Sequence, residues 1–130
     1  DGNGSPDLVV KCGTDTPNSE LSVIFGSVGG SFSASKAVKI APNLHSFVVA
    51  DLNCDGKSEI ISNSAGQAGL TVTSDISMAG LATSKLVALP IADQIGDIAI
   101  GKFNDDTAPD IGVVFSGSAG GFVVMKNVSD

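Results

Sequence analysis

The chain has 130 residues, 42% of them apolar, and carries seven basic against fourteen acidic side chains, for a net charge of −7. This length and apolar fraction suit one folded domain rather than a disordered segment. The acidic balance argues against nucleic-acid binding, which needs clustered Lys and Arg, and no apolar run is long enough to insert into a membrane. Because the chain opens in a polar turn, we expect that this sequence includes no signal peptide.

Short runs of Val, Ile, Leu and Phe alternate with clusters of Gly, Asn, Asp and Ser, and no helical apolar period is sustained. This pattern predicts an all-β protein. One segment recurs, because residues 45–60 and 96–111 align in both their apolar alternation and the acidic loop that follows it. A third copy occupies residues 1–8. Three copies about 50 residues apart predict a structural repeat.

Each copy is predicted to supply up to four strands. The first copy, residues 1–44, lacks its first strand; the middle copy, 45–95, is complete; the third copy, 96–130, lacks its last strand. The predicted strands in chain order are 8–11, 21–25 and 37–40, then 45–52, 59–63, 70–75 and 84–90, then three strands in the third copy, of which the last spans 122–127.

Four-stranded units at this spacing are typical of β-propeller blades, which close a ring with roughly four to eight blades. The predicted fold is therefore a partial β-propeller of about two and a half four-stranded antiparallel blades in one continuous repeat domain. Such an arrangement exposes apolar faces and unpaired strand edges at both ends. We expect that further blades of the same protein cover these ends, or that identical subunits do.

The acidic loop of the middle copy, residues 51–59, places oxygen-bearing side chains at its first, third, fifth and ninth positions. Ca²⁺ takes about six to eight oxygen ligands, and Gly56 permits a sharp turn. The alternative is an ordinary Asx turn, since Asp, Asn and Gly dominate turns in any case. Repetition in every copy favours calcium. The predicted ligands are Asp51, Asn53, Asp55 and Glu59, with Lys57 contributing its backbone carbonyl.

The loop of the first copy is incomplete, because its first two positions precede the chain. Asp1, Asn3 and Asp7 fill the third, fifth and ninth positions, and Ser5 offers its backbone carbonyl. These residues are predicted to form part of a second calcium site.

The loop of the third copy departs from the pattern at its first position. Asn104, Asp106 and Asp110 fill the third, fifth and ninth positions, whereas Lys102 stands at the first. An ammonium group there is expected to lie among the acidic oxygens and replace the ion, so this loop is predicted to be the poorest of the three.

The pattern Asp-x-Asn-x-Asp-Gly-x-x-Glu after an apolar strand resembles the FG-GAP/VCBS repeats of integrin α-subunit propellers and of many secreted bacterial, fungal and algal proteins. Residues 23–32 resemble the Phe-Gly and Gly-x-Phe parts of the same repeat. The resemblance covers nearly the whole chain. It implies a β-propeller, calcium between the first two strands of a blade, and extracellular adhesion or recognition. The departures from the family pattern are Glu59, Cys54, Asp105 and Lys102.

The calcium is expected to be structural, and we predict no enzymatic activity, because no acid–base pair, second His or nucleophile accompanies the loops. Three extracellular or cell-surface functions remain open. The first is an adhesion, recognition or scaffolding module that binds an extracellular protein or glycan. The second is a subunit of a filament or surface layer assembled through open blade edges. The third, a lectin, ranks lowest, because Trp and Tyr, on which sugars stack, are absent.

Two cysteines and two sequons suggest covalent modification. Outside the cell, the pair Cys12 and Cys54 suggests a disulfide, the alternative being that Cys12 is simply buried on its strand. The triplets beginning at Asn3 and Asn127 are N-glycosylation sequons. Asn127 is the better candidate, because Asn3 is also a predicted metal ligand.

Overall fold

The structure, a computed structural model, describes residues 1–13, 20–34, 36–38, 43–80, 82–89, 94–117 and 120–127. Within these ranges the chain forms strands and no helix, which confirms the all-β prediction. None of the described residues belongs to a helix able to cross a bilayer. The strands are β1 (Leu8–Cys12), β2 (Glu20–Ile24), β3 (Lys36–Val38), β4 (Leu44–Ala50), β5 (Glu59–Ser64), β6 (Gly69–Ser74), β7 (Thr83–Ala88), β8 (Ile95–Gly101), β9 (Asp110–Phe115) and β10 (Gly121–Met125).

The strands form three antiparallel sheets, each with its strands in chain order. The first sheet contains β1–β3, the second β4–β7 and the third β8–β10. The predicted strand positions agree closely, as for 59–63 against β5, although residues 39–40 and 90 of two predicted strands lie outside the described residues. Across the described ranges no sheet closes into a barrel.

The second sheet lies between the other two. Its strand β5 is buried along its whole length, and successive side chains of a strand point to opposite faces. Ile60 shares one apolar core with Leu21 of the first sheet, whereas Ile61 shares another with Val113 of the third. The sheets are therefore stacked in chain order with an apolar core in each of the two junctions.

The three acidic loops lie at one end of this stack. The second loop joins β4 to β5, the third joins β8 to β9, and the first leads into β1. Gly2 of the first loop lies against the Lys57 side chain of the second, where an added Cβ would be 3.0 Å from Lys57 Cγ. The Asn127 side-chain amide after β10 donates to the Leu52 carbonyl of the second loop. Stacking thus brings the first two acidic loops into contact, and Asn127 links the second loop to Asp110 of the third.

Candidate metal centre

The middle loop is folded by hydrogen bonds from backbone amides to its own acidic side chains. Asp51 accepts from the amides of Asp55 (3.1 Å) and Gly56 (2.9 Å). Asn53 Oδ1 accepts from the Asp55 amide at 3.0 Å, and Asp55 Oδ1 accepts from the Lys57 amide at 2.8 Å. The contacts of Asn53 and Asp55 are consecutive Asx turns, and those of Asp51 close the loop around them. Each carboxylate oxygen keeps a further lone pair with which to bind a cation.

Two residues of the middle loop have left-handed backbone conformations. Cys54 has φ 58° and Gly56 has φ 85°. The equivalent residues of the first loop, Gly2 and Gly4, have φ 77° and 78°. A residue with a Cβ costs about 1–2 kcal/mol in this conformation, so the middle loop is strained at Cys54. Because these φ angles match, the first two loops share one backbone shape at these positions.

The third loop repeats most hydrogen bonds of the middle loop, except the two that Asp51 accepts, and its turn is different. Its Asp105 and Thr107 stand where the other loops are left-handed, and neither is among the described residues with positive φ. The same contacts recur at equivalent positions. The Leu52 amide donates to Glu59 Oε2 (2.8 Å), as the Phe103 amide does to Asp110 Oδ2 (2.7 Å). Asn53 Nδ2 donates to Asp55 Oδ2 (3.0 Å), as Asn104 Nδ2 does to Asp106 Oδ2 (2.6 Å), and the Asp55 and Asp106 carboxylates accept from the amides of Lys57 and Ala108.

The ninth-position carboxylate ties its loop to another strand end in two of the three sheets. Asp7 Oδ1 accepts from the Gly26 amide after β2 at 2.8 Å, and Asp110 Oδ1 accepts from the Asn127 amide after β10 at 2.8 Å. The amino-terminal nitrogen of Asp1 also pairs with Asp7, at 3.0 Å. These carboxylates, predicted only as ligands, also act as structural acceptors. The signal that points to this role is an acid directly before each apolar second strand.

Lys102 does not fill the third loop. Its side chain is exposed, and it forms no ion pair with the acidic residues that the structure describes. The expectation that its ammonium lies among the acidic oxygens is therefore corrected. Asn104 and Asp106 are instead held by each other and by backbone amides. An ammonium on a flexible stem gains little from leaving water for this partly exposed loop.

The donor set of the middle loop matches calcium in kind, since all of its candidate ligands are oxygens. Asp51 is half-buried, and Asn53, Asp55 and Lys57 are exposed. Across the described ranges no three His, Cys, Asp or Glu side chains converge as a metal-binding group. Ion binding would therefore require the carboxylates of Asp51 and Asp55 and the amide oxygen of Asn53 to turn inward towards one point.

Glu59 is the electrostatically unusual member of the loop. Its side chain is 4% exposed, and burial raises its pKa above the ordinary 4.5. The Leu52 amide opposes this shift, and the negative charges of Asp55 and Asp51 add to it. The fold therefore makes ionisation of Glu59 less favourable than in water, and a cation in the loop would oppose this effect.

We expect Glu59→Gln to raise the melting temperature in calcium-free buffer at pH 7. Because the folded-state pKa of Glu59 is raised, its contribution to stability is present below pH 4.5 and is lost as the pH rises through the folded pKa. Gln keeps an oxygen for the Leu52 amide but carries no charge. The gain over wild type should therefore be near zero at pH 4 and grow towards pH 7 in thermal melts with chelator.

The matched control for this prediction is Glu20→Gln, which removes an exposed acid at the start of β2, away from the loops. It should shift the melting temperature little at any pH. A Glu59→Gln protein that is less stable than wild type at pH 7 without calcium would contradict the assigned electrostatics.

The predicted disulfide is not formed, since Cys12 and Cys54 are both free and exposed. Cys12 lies on the same side of β1 as Val10, with its Sγ 3.5 Å from Ser22 Oγ, on the face of the first sheet that points away from the second. Cys54 lies in the acidic loop of the second sheet. The alternative of a buried Cys12 is also wrong.

Both sequon asparagines use their side-chain amides within the fold. Asn3 Nδ2 donates to the Gly26 carbonyl at 2.9 Å and to Asp1, and Asn127 Nδ2 donates to Leu52. Glycosylation at either nitrogen stays a prediction and would have to break these contacts. Residue 129, which completes the second sequon, lies outside the described residues.

Sequence patterns missed a polar cavity at the opposite end of the stack. It lies between the second and third sheets, measures about 180 Å³, and is lined in part by His45, Asn63 and Gln67. Asn63 is buried and donates to the Ile95 carbonyl at 3.1 Å, joining the two sheets. Gln67 Oε1 is the buried side-chain atom that lacks a partner within the described ranges. A water molecule or a ligand hydroxyl would satisfy it.

Comparison with known proteins gives no match, either to a protein-family model or, at a significant level, to a curated protein or a solved structure. The resemblance to FG-GAP/VCBS repeats therefore rests on the loop motif and stays a prediction.

Proposed function

We propose that the chain is a non-enzymatic calcium-binding repeat module of an extracellular β-propeller. The observation that carries this proposal is an oxygen-rich loop before the same strand of each stacked sheet, folded in the second and third sheets by the same amide-to-carboxylate hydrogen bonds. An ordinary turn needs no such repetition. Ca²⁺ would be held by Asp51, Asn53, Asp55 and Glu59, with the Lys57 carbonyl completing the set.

The stacking of the sheets supports the propeller part of the proposal. Each sheet is an antiparallel meander that joins its neighbour through an apolar core. The first strands of the second and third sheets, β4 and β8, lie close together. In a propeller the first strand of every blade lines the central axis, so this proximity is the arrangement that neighbouring blades require.

Calcium in such a module has a structural role. It neutralises carboxylates that otherwise repel one another and fixes the loops at one end of the stack. A rigid end with ordered loops is suited to recognising an extracellular protein or glycan, in adhesion or as a scaffold. The partner itself is not specified by the fold.

Calcium is expected to raise the melting temperature by about 2–6 °C. Extracellular modules bind Ca²⁺ at about 10⁻⁴–10⁻³ M, so roughly millimolar calcium adds about 0.4–1.4 kcal/mol per site, and a domain of this size converts that into a few degrees. The measurement is a thermal melt in calcium against chelator, with magnesium as the ionic control.

The Asp51→Asn variant tests whether calcium raises the melting temperature by binding to the middle loop. The variant keeps an oxygen for one of the two backbone amides that Asp51 binds but loses the charge, so its calcium-induced shift should fall by at least half. Glu20→Gln, outside the loops, should keep the full shift. A wild-type protein whose melting temperature does not respond to calcium, or an Asp51→Asn protein that responds equally, would refute the proposed site.

A further inference from the structure

The outer sheets each present an apolar face to solvent. The front face is the side of the first sheet turned away from the second, and the rear face is the side of the third sheet turned away from the second. Phe122 is 63% exposed and Val114 is 49% exposed on the rear face, and Leu8 is 46% exposed on the front face. The front face contains Leu8, Val10, Cys12, Ser22 and Ile24, with Glu20 at its margin opposite Cys12, and the rear face contains Ala99, Phe103, Val114, Phe122 and Val124, with Asp97 opposite Val114.

The internal repeat identifies the role of the front face. Ile60, directly after the ninth loop position, packs towards the first sheet, and its equivalent Ile111 packs towards the second. Both therefore contact the preceding sheet of the stack. Leu8 is the third equivalent, and no sheet among the described residues precedes it. The front face is thus equivalent to the surfaces through which the second and third sheets each pack on the sheet before them.

The rear face is identified in the same way. Leu70 and Val72 of β6 pack towards the third sheet, and the strand register makes Phe122 and Val124 of β10 their equivalents. Phe122 and Val124 therefore lie on the side of the third sheet that corresponds to the side of the second sheet that contacts the following sheet. The exposed Phe103 corresponds to Leu52, which packs in the same core as Leu70. An added Cβ on Gly101 or Gly112 would lie 3.1 or 3.5 Å from the Phe103 ring, so Phe103 covers two glycines of this face.

We propose that the rear face of one molecule packs on the front face of a second copy of this chain. The rear and front faces correspond to the two surfaces of an interface that already occurs twice within the molecule. At the two ends of the stack, both faces expose apolar side chains. The contact extends the stack of sheets through the same kind of apolar packing. It joins two different surfaces, so it adds molecules head to tail and either closes a ring or forms a filament.

This contact differs from strand-edge pairing and does not depend on calcium. The strands β1 and β10 are also sheet edges among the described strands, but edge pairing uses backbone groups and leaves the two faces open. The inference goes beyond the proposed calcium site, so either can fail without the other. The test is therefore performed both with calcium and with chelator.

The experiment measures mass by sedimentation and light scattering over a concentration series. Wild-type protein should form dimers and larger species as the concentration rises. Val10→Asp blocks the front face and Phe122→Asp blocks the rear face, and each variant alone should remain monomeric, with association at least tenfold weaker. Mixed, the two variants should form a 1:1 dimer that grows no further, because each still has one intact face.

A charge at an exposed site outside both faces is the matched control. Val28 is 92% exposed at a hairpin, and Val28→Asp should associate like wild type. Circular dichroism and melts of the monomeric variants check that they fold, and a misfolded variant is replaced by Leu8→Asp or Val114→Asp. The proposal is overturned if wild-type protein stays monomeric at its solubility limit, if either blocked variant assembles alone, or if the mixture stays monomeric.

Discussion

Replacing Asp110 by Ala is expected to cost about 3–5 kcal/mol of unfolding free energy, because two partly buried backbone amides lose a buried, charged acceptor at once. Asp110 is fully buried, with 0% exposure. Its oxygens accept from the amides of Phe103 at 2.7 Å and Asn127 at 2.8 Å. These contacts tie the third loop to the end of β10. A typical domain has only about 5–15 kcal/mol in total, so this change removes a large part of it.

Urea denaturation measures this loss as a lower midpoint. Asp110→Asn should fall between Ala and wild type, since Asn offers an oxygen to one amide but turns a donor towards the other. Asp105→Ala removes an exposed acid from the same loop and should change stability by less than about 1 kcal/mol. Equal losses for Asp105→Ala and Asp110→Ala would mean that the buried contacts do not carry the effect.

Ile61→Ala is expected to destabilise the fold by about 2–5 kcal/mol, the range for a large apolar side chain removed from a core. Ile61 is fully buried in the core between the second and third sheets. Its neighbour Ile60 is 1% exposed in the core between the first and second sheets. Ile60→Ala should therefore cost a similar amount, although it affects the opposite face.

Val49→Ala is the matched control in the same sheet, since Val49 is 42% exposed. It should cost less than about 1 kcal/mol in the same urea series. A large loss for Ile61→Ala with little loss for Ile60→Ala would show that the second sheet is covered on one face only, which contradicts the stacking.

Local sequence patterns located most of the strands. Alternating apolar residues with turn residues between them predicted β5 and β10 within about three residues of their observed ends. The acidic loop before β5 was also predictable, because Asp, Asn and Gly at fixed spacing form Asx turns from neighbouring residues alone. Such features involve partners a few residues apart, and local sequence is sufficient to specify them.

The mutual positions of the residues in the candidate site were not predictable in this way. Asn127 contacts Leu52, 75 residues away, and nothing local marks it. Lys102 was expected to enter the third loop, but it is exposed. Cys12 was expected either to pair with Cys54 or to be buried, yet it lies on an outward face.

The sequence by itself therefore determined the strands, their order within three repeats, and the oxygen-rich loops, because these depend on residue periodicity and short-range hydrogen bonds. Only the tertiary structure decided that the second sheet is covered on both faces and that the loops meet at one end. It also decided which carboxylates are buried acceptors, as Asp110 is. Those outcomes depend on which face of each sheet packs against which neighbour, and apolar alternation within a strand does not specify the neighbour.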